Sequence, residues 1–198
     1  MAGDVRGRYA LGMAIAVERM SASVYLATPE SRPRHTELVD GTVVVNEPRM
    51  PHAQAQTELI YRLRTWIEAG PGRGYVSTPT DVTVNEWNVF APDVWWVAEH
   101  HRPQPGQLDL EGVPDLVIEI RSPSTWARDL GVKLPAYEAA GVPEAWYVDT
   151  DARTVLVFRR SRQGARRFDL PVEVGTADDL TSPMLPGLVL RVGSIFGG

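Results

Sequence analysis

PDLVIEIRSPSTWARDLGVKLPAYEAAGVPEAWYVD, residues 114–149, decides how this chain is read. PDLVIEIRS is an almost unbroken apolar run, the pattern of a central strand covered on both faces. A helical stretch follows that Gly141 can end, and EAWYVD then supplies another strand. Pro135 falls inside the helical stretch, where a proline removes a backbone hydrogen bond and clashes with the turn before it. The helix either kinks there, or a short turn ends near Lys133 and the helix proper starts at Pro135. Lys133 is placed at irregular backbone in both cases.

Upstream, HTELVDGTVVVN has two alternating runs around Asp40-Gly41, a dipeptide favoured in tight hairpins. PHAQAQTELIYRLRTWIEAG carries Leu59, Leu63 and Trp66/Ile67 at helical spacing, with Pro51 at its start and Gly70 at its stop. GYVSTP, TDVTVN and NVFAPDVWWVA read as three short strands, and AEHHRPQPGQLDLEGV as a long surface loop. Downstream, TVLVFRR and RRFDL read as strands joined by SRQG, and LPGLVLRVGSIF closes the chain. The order is that of an α/β sandwich with a mixed sheet, not a regularly alternating doubly wound fold.

At 198 residues, with 43% hydrophobic and 23% charged residues, the chain reads as one soluble domain. Residues 1–31 read as a partly disordered N-terminal extension and 32–198 as the domain. RGRYALGMAIAVERMSASVYLA loosely imitates a signal peptide, but Glu18 and Arg19 interrupt its apolar stretch. No run approaches the ~18 apolar residues that would span a membrane. The absence of cysteine excludes disulfides, thiolate metal sites and a cysteine nucleophile, and suits a cytoplasmic protein. A net charge of −5 argues against coating nucleic acid by bulk electrostatics, while leaving room for a local basic cleft.

Two acidic residues interrupt strongly apolar strands: Asp93 in APDVWWV and Glu119 in DLVIEI. If those strands are neighbours, two carboxylates face one another, which is costly unless a cation sits between them. Hard oxygen ligands of this kind suit Mg²⁺ or Mn²⁺. Alternatively, Asp93 starts its strand as a capped, solvated residue and Glu119 pairs with an arginine. Asp115 is four residues before Glu119, about 13 Å along a strand, too far to share an ion with it. Arg121, two residues after Glu119, points to the same face. Lys133 is the only lysine among 20 Lys and Arg residues. Asp129 and Tyr137 lie one turn either side of it, so an Asp129–Lys133 surface pair is one reading. The other is a compact charge with a lowerable pKa that orients a water.

The segment 114–149 resembles the signature of the Uma2 family, assigned to the PD-(D/E)XK nuclease superfamily. ELVDG at 37–41, His52, APDV at 91–94 and SPMLPGLVL at 182–190 match as well, so the resemblance runs from about His35 to Phe196. It implies a restriction-endonuclease-like core, a mixed β-sheet flanked by helices with additional β-hairpins. Pro92-Asp93 matches the PD and Glu119-Ile120-Arg121 the (D/E)xK, with Arg121 where lysine is usual; Lys133 on the next helix then takes the lysine's place. The implied activity is Mg²⁺-dependent hydrolysis of phosphodiesters, with DNA as substrate and a homodimer as the assembly. Asp93, Glu119 and the Ile120 carbonyl would hold the ion, and Arg121 would contact the scissile phosphate. Glu37, His52, Ser122, Ser124, Asp129 and Tyr137 would support the site. Arg128, Arg159, Arg160, Arg162, Arg166 and Arg167 would track nucleic acid, although 159–167 is also what a solvated hairpin tip looks like in an arginine-rich chain. The alternative function is a catalytically inactive nuclease fold that binds nucleic acid or a protein partner.

Overall fold

The computed structural model describes residues 19–27, 29, 35–107, 110–122, 125–162 and 164–197. The first elements are helix α1 (Ala22–Leu26), the hairpin β1 (Thr36–Val39) and β2 (Thr42–Val45), and the long helix α2 (Met50–Glu68). Strands β3 (Tyr75–Ser77), β4 (Val82–Asn85), β5 (Asn88–Phe90), β6 (Val94–Val97) and β7 (Leu116–Ile120) follow. Then come α3 (Trp126–Arg128), a π-helical turn over Asp129–Lys133, and α4 (Leu134–Ala140). The chain finishes with β8 (Glu144–Asp149), β9 (Thr154–Arg159), β10 (Leu170–Val174), β11 (Asp179–Leu180), β12 (Leu190–Arg191) and α5 (Val192–Ile195).

The main sheet has the order β10-β9-β8-β7-β6-β3, with β7 and β8 parallel and the other pairs antiparallel. All five residues of β7 are buried, as a strand covered on both faces requires. Its side chains alternate between two cores. Leu116, Ile118 and Ile120 pack against Leu59, Leu63 and Trp66 of α2. Val117 faces Tyr137 and Tyr147 on the other side. Leu59 and Leu63 are fully buried, so truncating either to alanine would cost about 2–5 kcal/mol.

The second sheet, β2-β1-β5-β4, starts from the expected hairpin. Asp40 and Gly41 take φ of 48° and 76°, the double left-handed geometry that matches the twist of the flanking strands. NVFAPDVWWVA divides into two strands in different sheets, with β5 in the second and β6 in the main one. Pro92, which has no N–H for a ladder, sits at the break. The carboxyl end of the main sheet differs from expectation too. β10 is LPVEV, beginning only at the last residue of RRFDL, and Pro171 is tolerated there because β10 is an edge strand.

Part of the expected N-terminal extension is packed onto the domain. Ala22 and Tyr25 of α1 are buried against Leu38 and Val89, and the Tyr25 hydroxyl donates to the Thr36 carbonyl at 2.9 Å. No helix among the described residues is long and apolar enough to cross a membrane.

Candidate active site

Asp93 stands immediately before β6, and its backbone carbonyl accepts a 2.8 Å hydrogen bond from Gln56 on α2. Val94 pairs with Ile118, so continuing the antiparallel ladder by one pair sets Asp93 opposite Glu119. The Asp93 carboxylate does not float in solvent as a simple cap. One oxygen accepts the Ile120 N–H at 2.7 Å, and the other lies 2.9 Å from His52 Nε2. His52 and Gln56 are four residues apart on one helix face, so α2 fixes Asp93 through both its side chain and its backbone.

Glu119 is 2% exposed and pairs with the lysine, not with an arginine. Lys133 Nζ donates to both Glu119 oxygens at 3.0 Å, and the Tyr137 hydroxyl donates to Oε1 at 2.7 Å. The ammonium also lies 2.8 Å from Glu37 and 3.6 Å from Asp129. The local backbone explains this convergence. The wider turn over Asp129–Lys133 buries both of its charged ends, and the helix runs on without a break into α4, with Pro135 directly after the widened turn. Gly141 closes α4 at φ 93°. The pair sketched as a surface interaction is therefore buried: Lys133 is 2% exposed.

Two further chains of contacts brace the cage. Glu37 on β1 accepts the Ala91 N–H at 2.8 Å and the Asn46 side-chain amide at 2.7 Å. The Thr125 hydroxyl donates to Asp129 at 2.7 Å, so Ser122, 2.8 Å from Thr125, must donate to it in turn. Ser124 lies outside the described residues.

Three carboxylates, from Glu37, Glu119 and Asp129, thus contact one ammonium, and the titration of Glu119, Asp129 and Lys133 reflects it. Burial raises the Glu119 carboxyl well above its usual range; Lys133 opposes the rise, while Asp93, Asp129 and Glu37 add to it. Asp129 is raised for the same first reason, against the pull of Lys133 and Thr125. Burial alone would lower Lys133, but Glu119, Glu37, Asp129 and Asp93 together outweigh it and hold the ammonium well above its usual range. The expected lowered lysine pKa is therefore corrected: the surrounding carboxylates keep Lys133 charged.

Asp93, Glu119, Ile120, Ser122, Asp129, His52 and Lys133 line one cavity of about 340 Å³ at the carboxyl end of β7. Its donors are hard oxygens with a surplus of negative charge, which fits a divalent cation. Among the described residues, no three acidic or histidine side chains stand ready-made as a metal cluster. A cation would have to share Glu119 with Lys133 and Tyr137, and Asp93 with His52 and the Ile120 N–H.

The chain matches the Uma2 family, described as "Putative restriction endonuclease", over residues 22–193. It belongs to the Uma2 family. A crystal structure of "a putative nuclease belonging to DUF820" from Anabaena variabilis ATCC 29413 is similar to this Uma2 protein, with a TM-score of 0.74. The likeness covers 89% of this chain and 97% of that one at 18% identity, and it is a likeness of fold. No curated protein matches the chain.

Not every expected site residue reaches the cavity of this Uma2 domain. Arg121 keeps to the Glu119 face, but its guanidinium bonds Asp149 at 2.7 Å and Asp151 at 3.0 Å and stacks over Trp126. β7 has ended by Arg121, whose N–H bonds Val148, and the acidic end of β8 draws the side chain sideways. Arg128 reaches Asn46 at 3.5 Å. Arg159 and Arg160 are turned inward, onto Glu144 and onto backbone carbonyls. Arg162, Arg166 and Arg167 are exposed on the β9–β10 connection. Asn46, Gln56 and Thr125 were not expected. Gln56 and Thr125 had a signal, since each lies four residues from a site residue on its own helical stretch.

Proposed function

We propose that this Uma2 protein is a divalent-cation-dependent nuclease that hydrolyses phosphodiester bonds, with DNA as its substrate. The observation that carries the reading is the meeting of Asp93 and Glu119 from adjacent strand ends in an open cavity, with Lys133 drawn in from the neighbouring helix. Asp93, Glu119 and the Ile120 carbonyl would hold the ion. When bound, such an ion lowers the pKa of a water and takes up charge on the phosphate.

The protein's own groups supply position and charge. His52 and Gln56 hold Asp93, and Tyr137 holds Glu119. Lys133 acts as a permanent ammonium, not as a proton acceptor, and offers fixed positive charge to the phosphate oxygens as negative charge builds on them. Glu37 and Asp129 keep that ammonium in place when Glu119 is drawn toward a cation.

A second reading is supported by the occupied state of the carboxylates. All four oxygens of Asp93 and Glu119 already have partners within the protein, as in a binding module that has kept the fold. Purified protein incubated with plasmid, single-stranded DNA and RNA in Mg²⁺ or Mn²⁺ separates the two. Cleavage that drops at least about a hundredfold in Asp93→Asn and Glu119→Gln supports the nuclease, a loss on the scale of removing one transition-state contact. No cleavage of any substrate, or equal cleavage by both variants, refutes it.

A further inference from the structure

We propose that a second cavity, at the opposite end of β8, binds a small organic anion with an apolar body. The cavity measures about 520 Å³, within the ~300–1,000 Å³ typical of small-molecule sites. It opens where β8 begins at Glu144, whereas the first cavity lies at the Ile120 end of β7. In the parallel pair, Leu116 is level with Glu144 and Ile120 with Val148. Four residues therefore separate the two sites along the strands, about 13 Å.

Charge is unbalanced there. Arg159, Arg160 and Arg162 all line the cavity, with Glu144 as the one carboxylate in its wall. Glu144 is already spent, on the Trp146 indole at 2.6 Å, the Ser182 hydroxyl at 2.9 Å and Arg159 at 3.1 Å. Asp169, on the same hairpin, accepts from the Ser161 N–H and hydroxyl and attracts Arg162 more weakly across solvent. Arg160 donates to the Val142, Glu138 and Ala165 carbonyls and lies over the Phe168 ring at 5.2 Å, all partners without a formal charge. Arg159 Nε is buried without a partner, although its terminal nitrogen is bonded. Arg162 is exposed, and its planar fork suits a carboxylate or phosphate.

The remaining wall is apolar, from Pro143, Pro183 and Met184. A bare ion would leave this surface unused, and a neutral apolar molecule would leave the guanidinium charge unanswered. An anionic group on an apolar body satisfies both. Nucleoside monophosphates and aromatic carboxylates share that chemistry.

The test is calorimetric titration of the full chain in EDTA with adenosine 5′-monophosphate and with benzoate, alongside inorganic phosphate and adenosine. Ala165→Phe puts a ring on the cavity's wall and narrows it while keeping the backbone carbonyl that Arg160 uses, and Arg162→Gln removes one charge. Binding of the monophosphate or benzoate is expected, at least about tenfold weaker in Arg162→Gln, the loss of one charge-assisted contact. It should disappear in Ala165→Phe, with the melting temperature of the unliganded protein within a few degrees of wild type. No binding of either anion at millimolar concentration overturns the proposal, as does binding unchanged in Ala165→Phe. Phosphate binding as tightly as the monophosphate removes the apolar body from the inference, and adenosine doing so removes the anion.

Discussion

Replacing Lys133 with methionine keeps the length of the side chain and deletes its charge. The ammonium lies within 3.0 Å of Glu37 and both Glu119 oxygens, and within 3.6 Å of Asp129, at 2% exposure. Without it, carboxylates that solvent cannot reach lose their counter-charge. Removing one partner from a buried ionic group costs about 3–5 kcal/mol, because the orphaned charge pays for its desolvation alone. In a domain of this size each kcal/mol shifts the melting temperature by about 2–4 °C, so a fall of roughly 6–20 °C is expected for Lys133→Met.

The assay is thermal and urea unfolding at several pH values. In Lys133→Met, Glu119 and Asp129, already raised by burial, lose the cation that opposes the rise, so the folded state binds more protons than the unfolded one. The deficit should therefore be smallest in acid and grow as pH rises toward neutrality. The double variant Glu119→Gln/Lys133→Met removes one orphaned charge and should recover part of the loss, a coupling expected only between groups in contact. Lys133→Arg keeps the charge but must fit a larger planar group beside Phe90, whose ring centre lies 5.7 Å from Nζ, and overpacking of this kind costs about 1–3 kcal/mol. The reasoning is refuted if Lys133→Met melts with wild type, or if its deficit is the same at pH 5 and pH 8.

For the wild type without metal, burial and acidic neighbours raise Glu119 above its usual 4.5 and Asp129 above its usual 3.8. The stability these groups contribute is full below those values and is lost as pH rises through the folded pKa; Glu119→Gln should show a shallower decline in melting temperature above pH 4.5. Titrating Mg²⁺ or Mn²⁺ should raise the melting temperature, by about 2.7 kcal/mol of stability at a hundredfold excess over Kd, and Asp93→Asn should abolish the rise. Arg121→Gln should cost about 1–3 kcal/mol in urea unfolding, while cleavage falls far less than in Asp93→Asn, because its guanidinium is occupied by Asp149 and Asp151. Gly74→Ala should be strongly destabilising by the same measurement: φ is 79° and an added Cβ would collide with the Val97 carbonyl.

What was legible in the sequence follows the range of the forces involved. Asp40-Gly41 and the alternating runs beside it are a local problem, and the hairpin formed where turn chemistry placed it. The fully buried β7 was equally clear, since covering on two faces leaves Glu119 as the one polar position in an otherwise apolar run. NVFAPDVWWVA was harder: both halves are strand-like, and only Pro92 marks where the chain passes from one sheet to the other. Arg121 shows a different limit. Alternation along the strand gave its face correctly, yet the side chain is claimed by Asp149 on the next strand, a parallel neighbour that sequence spacing cannot locate. Glu37 likewise meets Lys133 across ninety-six positions, and the family resemblance, not the local pattern, drew attention to it.

The lone lysine of an arginine-rich chain has a physical explanation in this cage. Three carboxylates from three separate elements converge on a single atom, with contacts of 2.8–3.6 Å from different directions. An ammonium is a compact charge with three donors arranged about that atom, so it can answer all of them from one point. A guanidinium spreads its donors over a rigid plane and reaches carboxylates set around the edge of that plane, the way Arg121 meets Asp149 through one nitrogen and Asp151 through another. Arg121 and Lys133 are therefore not interchangeable. The arginine clamps the ends of two strands at the rim, and the lysine neutralises a point inside. If a divalent ion enters, Glu119 must be shared between two cations, and a point charge held independently by Glu37 and Asp129 can allow that without losing its place. A lysine held by Glu119 alone could not.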